Sequence, residues 1–446
     1  MLFSRRAIQR MLDENATWMS TKSLRDLRRA MNNPDDPSPL SREWEIAVLN
    51  ALSKIVMIDH EPDLGKRPDI VYQMSGETVI ADVVAMSDRT RHRRNPVEAL
   101  NDRFAERLAP VVRTGIKGGF CLSVGPRSFR MQQLETKATE LHLPSIDRFD
   151  EVVFNQHFDT FMSELLAAPQ VPHHYSINNA ECSLRFSFSP NSDGWTLDKF
   201  RYTQSTMREC NPIWNALDDK RADLEQVDVL GHRGIILCDG DCDTLRDETE
   251  WDHYGARDII SSFLREPNKI EFVLVLVPLH ISNRRDMRAE SHTIGSYLIT
   301  RTKDLPGWIA PIKDLASQLP QVHSTSLNAR YEAAWRREAG KWSEGFTFRG
   351  ACSVSEEKIR MSARDLLELL AGVLRQDDFE KLPFMARSNP FLQKLAHGRL
   401  FKASSIEKGG EDADDDWIIF EFGDPDPAAT TFRGNSRWKS FDRDSG

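Results

Sequence analysis

Two aspartates occupy positions from which apolar strands normally exclude charge. In LGKRPDIVYQMSGETVIADVVAMSD, residues 64–88, Asp69 follows Pro68 at the head of one strand-like run. Asp82 lies inside the next, between Ile80, Ala81, Val83 and Val84. A carboxylate in such a run is costly unless it is paired, hydrogen-bonded or bound to a metal. Two of them on neighbouring strands suit a hard divalent cation such as magnesium, which prefers oxygen ligands.

The elements that must position them follow from local pattern. PDIVYQM and TVIADVVAM are short, rich in β-branched residues and separated by Ser75-Gly76-Glu77, which predicts two strands and a tight turn. Upstream, SREWEIAVLNALSKI places Trp44, Ala47, Val48, Ala51, Leu52 and Ile55 at helical spacing, with Ser41 as the expected N-cap and Glu43 and Glu45 on the flanks of the stripe. IVMIDHE is the expected first strand, with His60 near the site. Asn95-Pro96 opens a further helix (NPVEALNDRFAERLAPVV), and GGFCLSV follows as a strand. The predicted order over residues 41–125 is helix, three strands, helix, strand.

That order, with Glu45 (or Glu43) on the first helix, Pro68-Asp69 and the strand acid Asp82, resembles the PD-(D/E)xK nuclease superfamily. The resemblance implies an α/β fold with a mixed sheet flanked by helices, a restriction-endonuclease-like core and a large C-terminal elaboration. It also implies Glu45, Asp69 and Asp82 as ligands of Mg2+ (or Mn2+), and a lysine two residues past the strand acid that activates water against a phosphodiester. Here that position is Val84. Lys220, on a later helix crowded with acids, reads first as a surface lysine and second as the substitute for the missing one. The implied partner is nucleic acid, DNA ahead of RNA, and a nuclease with this much appended sequence would suit a restriction or phage-defence system. The alternative is a non-catalytic scaffold or protein-binding subunit whose acids are structural.

Charge is unevenly spread. Of a net −9, the stretch from Ala403 to Gly446 holds eleven acids against five bases, whereas Met86–Lys117 holds eight bases against four acids. Arg89, Arg91, Arg93 and Arg94 fall directly after the Asp82 strand and are the candidate phosphate contacts. Asp239, Asp241, Asp243 and Glu250 mimic a calcium loop, but Thr244 stands where the loop needs glycine, so an acidic loop at a strand end is expected. Cys238 and Cys242 with His253 lack the second close pair of a zinc site. The sequence has no GxxxxGK[ST], GxGxxG or GxSxG motif. It has no apolar run of membrane-spanning length and no signal-peptide core, and its six cysteines are scattered. A cytoplasmic protein with free thiols is expected.

The expected organisation is an N-terminal helical segment (1–40), the nuclease-like core (41–125) and a helical and β-hairpin insertion (126–205). An α/β continuation (206–402) and an acidic tail (403–446) follow. The insertion includes a helix over PRSFRMQQLETKATELHL and antiparallel strands about Asn191–Gly194. NPIWNALDDK and GIILCDG, at 211–240, echo the earlier NP-helix and strand as a weak repeat, and the leucines of SARDLLELLAGVL are expected in the core.

Overall fold

The hairpin bearing the two aspartates forms as its turn chemistry demands. Ser75 and Gly76 both take positive φ, 58° and 81°, and such a two-residue turn matches the twist of the strands it joins. The computed structural model describes residues 2–31, 39–88, 91, 94–113, 116–131, 134–192, 194–199, 211–246, 255–282, 290–302, 306–322, 352–355, 357–372, 390–410 and 415–426.

The chain begins with α1 (Arg5–Asn15), α2 (Thr21–Met31), α3 (Pro39–Ser53), β1 (Ile58–Asp59), β2 (Ile70–Met74) and β3 (Glu77–Met86). Next come α4 (Val97–Arg113), β4 (Gly119–Val124), β5 (Pro126–Met131), β6 (Leu134–Leu141), α5 (Gln156–Ala167), β7 (His173–Asn178), β8 (Ser183–Ser189) and β9 (Trp195–Lys199). α6 (Pro212–Leu224), β10 (His232–Asp239), α7 (Ala256–Arg265), β11 (Ile270–Ser282), β12 (Glu290–Thr300) and α8 (Ala310–Gln318) follow. The last described elements are β13 (Cys352–Val354), β14 (Lys358–Ser362), α9 (Ala363–Leu370), α10 (Pro390–Ala396), β15 (Phe401–Glu407) and β16 (Trp417–Phe422).

The largest sheet has the order β1-β2-β3-β10-β11-β12. β1, β2 and β3 form an antiparallel meander, β10 runs parallel to β3 and to β11, and β12 returns antiparallel. Alternation along β3 sends Val79, Ala81 and Val83 into an apolar layer with α1, α2, α3 and α8, and Ile80 and Met86 into a second layer with α6 and α7. Asp82 belongs to the second face. The protein is thus α/β, with a mixed sheet covered by helices on both sides. Among the described residues, no helix is long and apolar enough to cross a membrane.

The chain departs from expectation after β3. α4 and β4 do not continue the large sheet. β4 joins a four-stranded sheet of order β7-β8-β4-β9, where α4 packs on an aromatic core of Phe104, Phe120, Phe158 and Phe186. The unit that continues the core is the later echo, α6 and β10. The burial patterns give the reason. β10 is buried at all but its first residue, as a strand covered on both faces must be, whereas β4 alternates beyond its first two residues and suits a sheet with one wet face.

Smaller corrections follow where local pattern is ambiguous. The segment expected as a helix from residue 126 is the β5–β6 hairpin, although Met131, Leu134, Ala138 and Leu141 fall at helical spacing. β9 does not pair with β8 across the Asn191–Gly194 turn but lies parallel to β4. α3 starts at Pro39, so Ser41 lies inside it. Within the stretch expected as an acidic tail, β16 and most of β15 pair in a sheet of order β13-β14-β16-β15. Within that unit Ser362 Oγ caps α9 by accepting the Asp365 N–H (3.2 Å), yet Leu367 and Leu370 are 62% and 74% exposed rather than core. The run STSLNARYEAAWRREAGKW (324–342), whose pattern predicts a helix, lies outside the described residues.

Candidate active site

β2 and β3 part company at the aspartates. Ile70 opposes Ala81 in register, so Asp69 faces Asp82 just where β2 begins, and Val83 to Met86 have only β10 beside them. The fork leaves main-chain groups without ladder partners, a cost that must be met by other acceptors. The carboxylates meet it. Val83 N–H donates to Asp69 Oδ2 (2.7 Å), and Asp69 N–H donates to Asp82 Oδ1 (3.1 Å).

Lys220 reaches this fork from α6. Its Nζ donates to Asp82 Oδ2 at 3.1 Å, with Asp82 buried and Lys220 half-buried. The position follows from helix geometry: Ile213, Leu217, Lys220 and Leu224 fall at i, i+4, i+7 and i+11, and the three apolar members are buried against β3 and β10. α6 is set by Asn211, whose side chain accepts the Ile213 N–H (2.9 Å), with Pro212 in the first turn. Burial works against the ammonium, but Asp82 and Asp69 outweigh it and hold the lysine above its ordinary range. The lysine read first as a surface residue is therefore the partner of the strand acid.

Glu45 approaches from α3 on the other side of the sheet. It is buried, and both its oxygens are engaged, Oε2 by Arg42 (2.6 Å) and Oε1 by His60 Nε2 (3.3 Å). Burial opposes its ionisation, but the His60 and Arg42 bonds prevail and hold it below the usual carboxylate range. Glu43 faces elsewhere, accepting the N–H groups of Leu2 (2.7 Å) and Phe3 (3.3 Å). Asp69 carries the cost of the assembly. Burial, then the negative charges of Asp82 and Glu45, push its carboxyl up to about 7 against the pull of Lys220.

The donor chemistry suits a hard cation in part. Magnesium is commonly held by one or two carboxylates together with substrate phosphates, and Asp69 with Asp82 makes such a pair, its electrostatic strain relieved by added positive charge. Glu45, expected as a third ligand, is turned to Arg42 and His60. Among the described residues, no three His, Cys, Asp or Glu side chains gather as a metal cluster.

The other candidates separate. Of the arginines expected on phosphate, Arg91 is half-buried and Arg94 exposed, while Arg89 and Arg93 lie outside the described residues. Asp239 accepts the N–H groups of Asp241 (2.8 Å) and Cys242 (2.7 Å), and Arg246 reaches Asp239 (3.1 Å) and Asp243 (3.0 Å). The acids expected to form a loop at a strand end thus cap that end and pair with an arginine. Glu250 and His253 lie outside the described residues. Cys238 and Cys242 are buried, which pushes both thiols well up. Sequence reasoning passed over Arg42, although its i, i+3 spacing to Glu45 announces the pair.

No family model, curated protein or solved structure matches this chain.

Proposed function

We propose that the chain is a metal-dependent phosphodiesterase acting on nucleic acid, DNA ahead of RNA, built on a restriction-endonuclease-like core of the PD-(D/E)xK kind. The observation that carries this reading is the bond from Lys220 to Asp82 at the β2–β3 fork. The superfamily pattern asks for an ammonium beside the strand acid. With Val84 in the usual slot, α6 supplies it from the facing helix. The succession α3, β1, β2, β3, α6, β10, with β10 parallel to β3, also supports the reading once residues 87–211 are taken as an insertion.

Asp69 and Asp82 would hold Mg2+ or Mn2+. When bound, such an ion lowers the pKa of water and neutralises charge on the phosphate. Lys220 keeps its proton, held by Asp82, and presents positive charge where the phosphate gains negative charge. Glu45, fixed by Arg42 and His60, adds to the negative field that draws the cation. Arg91 and Arg94, with Arg89 and Arg93, contact the nucleic-acid backbone.

Lys220→Gln tests this directly in a plasmid-cleavage assay with Mg2+ or Mn2+. The expected loss is about 100-fold or more, the scale set by removing one group that stabilises developing charge. Cleavage by the glutamine variant at the wild-type rate would remove Lys220 from the chemistry.

One observation favours a second reading, a non-catalytic scaffold. Lys220 and Arg42 already neutralise Asp82 and Glu45 from within the protein. On that reading Asp82→Asn leaves partner binding intact.

A further inference from the structure

The large sheet ends in two strands that differ in kind. β1 closes one side with two residues. β12 closes the other with eleven, and among the described residues its one strand neighbour is β11. An edge strand presents a row of main-chain groups that another chain can join. Proteins blunt such edges by shortness, lysine, proline or a bulge. β1 is blunted by its length. β12 has none of these devices. Its sequence, ESHTIGSYLIT, holds no lysine, arginine or proline, and its ladder with β11 runs without a break from Ser282↔Glu290 to Phe272↔Thr300.

The apolar side chains of this edge are left half-covered. Ile294 and Leu298 lean on the layer that holds α3 and α8, and Tyr297 and Ile299 on the layer that holds α6 and α7, yet all four are only partly buried. Their register partners one strand further in, Val273, Leu274, Val275 and Pro278 of β11, are buried. A further strand laid along β12 would complete the burial on both faces, which is the favourable term in association.

The pattern of β12 also says which strand that is. An antiparallel strand turns the N–H and C=O of alternate residues to its outer edge. Two copies pairing about a two-fold axis must therefore match positions of like parity, which puts the axis on a residue. With Ser296 on the axis, Ile294 opposes the partner's Leu298, Thr293 opposes the partner's Ile299, and Gly295 leaves room opposite the partner's Tyr297. Each of these pairs occurs twice, as a two-fold contact requires. Moving the axis to Gly295 or Tyr297 would set Ile294 against Ser296 or Thr300 instead. The edge is thus complementary to itself.

We infer that β12 is the seat of a second copy of this chain. The two β12 strands pair antiparallel about Ser296 and join two six-stranded sheets into one. The inference does not depend on the chemistry of the β2–β3 fork.

The test is sedimentation velocity of the full chain over a dilution series, with wild type, Ser296→Lys and Ser296→Glu. Ser296 is exposed, so both variants should fold, and an unchanged melting temperature checks that they do. The wild type should sediment as a dimer that dissociates on dilution. Each variant alone sets like charges opposite one another at the axis and should raise the dissociation constant about 10-fold or more. An equimolar mixture of the two variants should recover the dimer, because opposite charges then meet across the strands. A wild type that stays monomeric throughout the series would overturn the inference. So would a dimer equally stable in both folded variants, which would place the contact elsewhere. A mixture no tighter than either variant alone would overturn it too, by removing Ser296 from the axis.

Discussion

Asp69 is the residue on which the electrostatics of the fork turn. Its carboxyl, pushed up to about 7 by burial and by the charges of Asp82 and Glu45, binds a proton more tightly in the folded chain than in the unfolded one. The stability this contributes to metal-free protein is fully present below about pH 4, the ordinary aspartate value, and is lost as pH rises through about 7. In chelator, the melting temperature of the wild type should therefore fall from about pH 5 to about pH 8 more steeply than that of Asp69→Asn. Equal slopes would contradict the charge crowding. Lys220→Gln, which leaves the buried Asp82 without its ammonium, should cost about 1–3 kcal/mol in urea unfolding. The two aspartates were legible in the sequence because charge inside β-branched runs is conspicuous. The direction of Lys220 was legible too, in the Ile213–Leu217–Lys220–Leu224 stripe, but the acids around it suggested a surface helix.

Among the elements, α6 matters most to the site, since it alone brings Lys220 to β3. Its start depends on Asn211, fully buried and bonded to the Ile213 N–H. Asn211→Ala should cost about 1 kcal/mol, the usual worth of an N-cap, and should weaken the Lys220–Asp82 contact along with the helix. Urea midpoints measure the first effect, and cleavage rate the second. Most elements could be read from their own residues: the β2–β3 hairpin from Ser75-Gly76, α9 from Ser362 and Asp365, and β11 from its apolar run. What could not be read was which helix–strand unit follows β3. NPVEALNDRF with GGFCLSV and NPIWNALDDK with GIILCDG carry the same local signals. The choice was made by whether a strand's burial is continuous or alternating, a property of the partner sheets rather than of the strand alone.

At the scale of the whole molecule, the C-terminal sheet is tied to the N-terminal helix by a long-range clamp. Arg6 of α1 donates to Asp416 Oδ1 (2.5 Å) and to the carbonyls of Gly409 and Gly410 (both 3.2 Å), and Lys408 holds the other Asp416 oxygen at 2.8 Å. Arg6→Ala should leave the large sheet intact while speeding proteolysis between β15 and β16, as read by mass spectrometry of the fragments. Unchanged cleavage there would mean the clamp holds little. No local pattern announced this contact, because it joins residues about four hundred positions apart, and charge counting had assigned the same acids to a tail. The fork as a cation seat is tested most directly by a calorimetric Mn2+ titration of wild type and Asp82→Asn, with DNA cleavage measured on the same samples. The wild type should bind the ion and cut, and the folded asparagine variant should do neither. A wild type that takes up no ion and leaves DNA intact, or an Asp82→Asn protein that cuts as well as wild type, would contradict it.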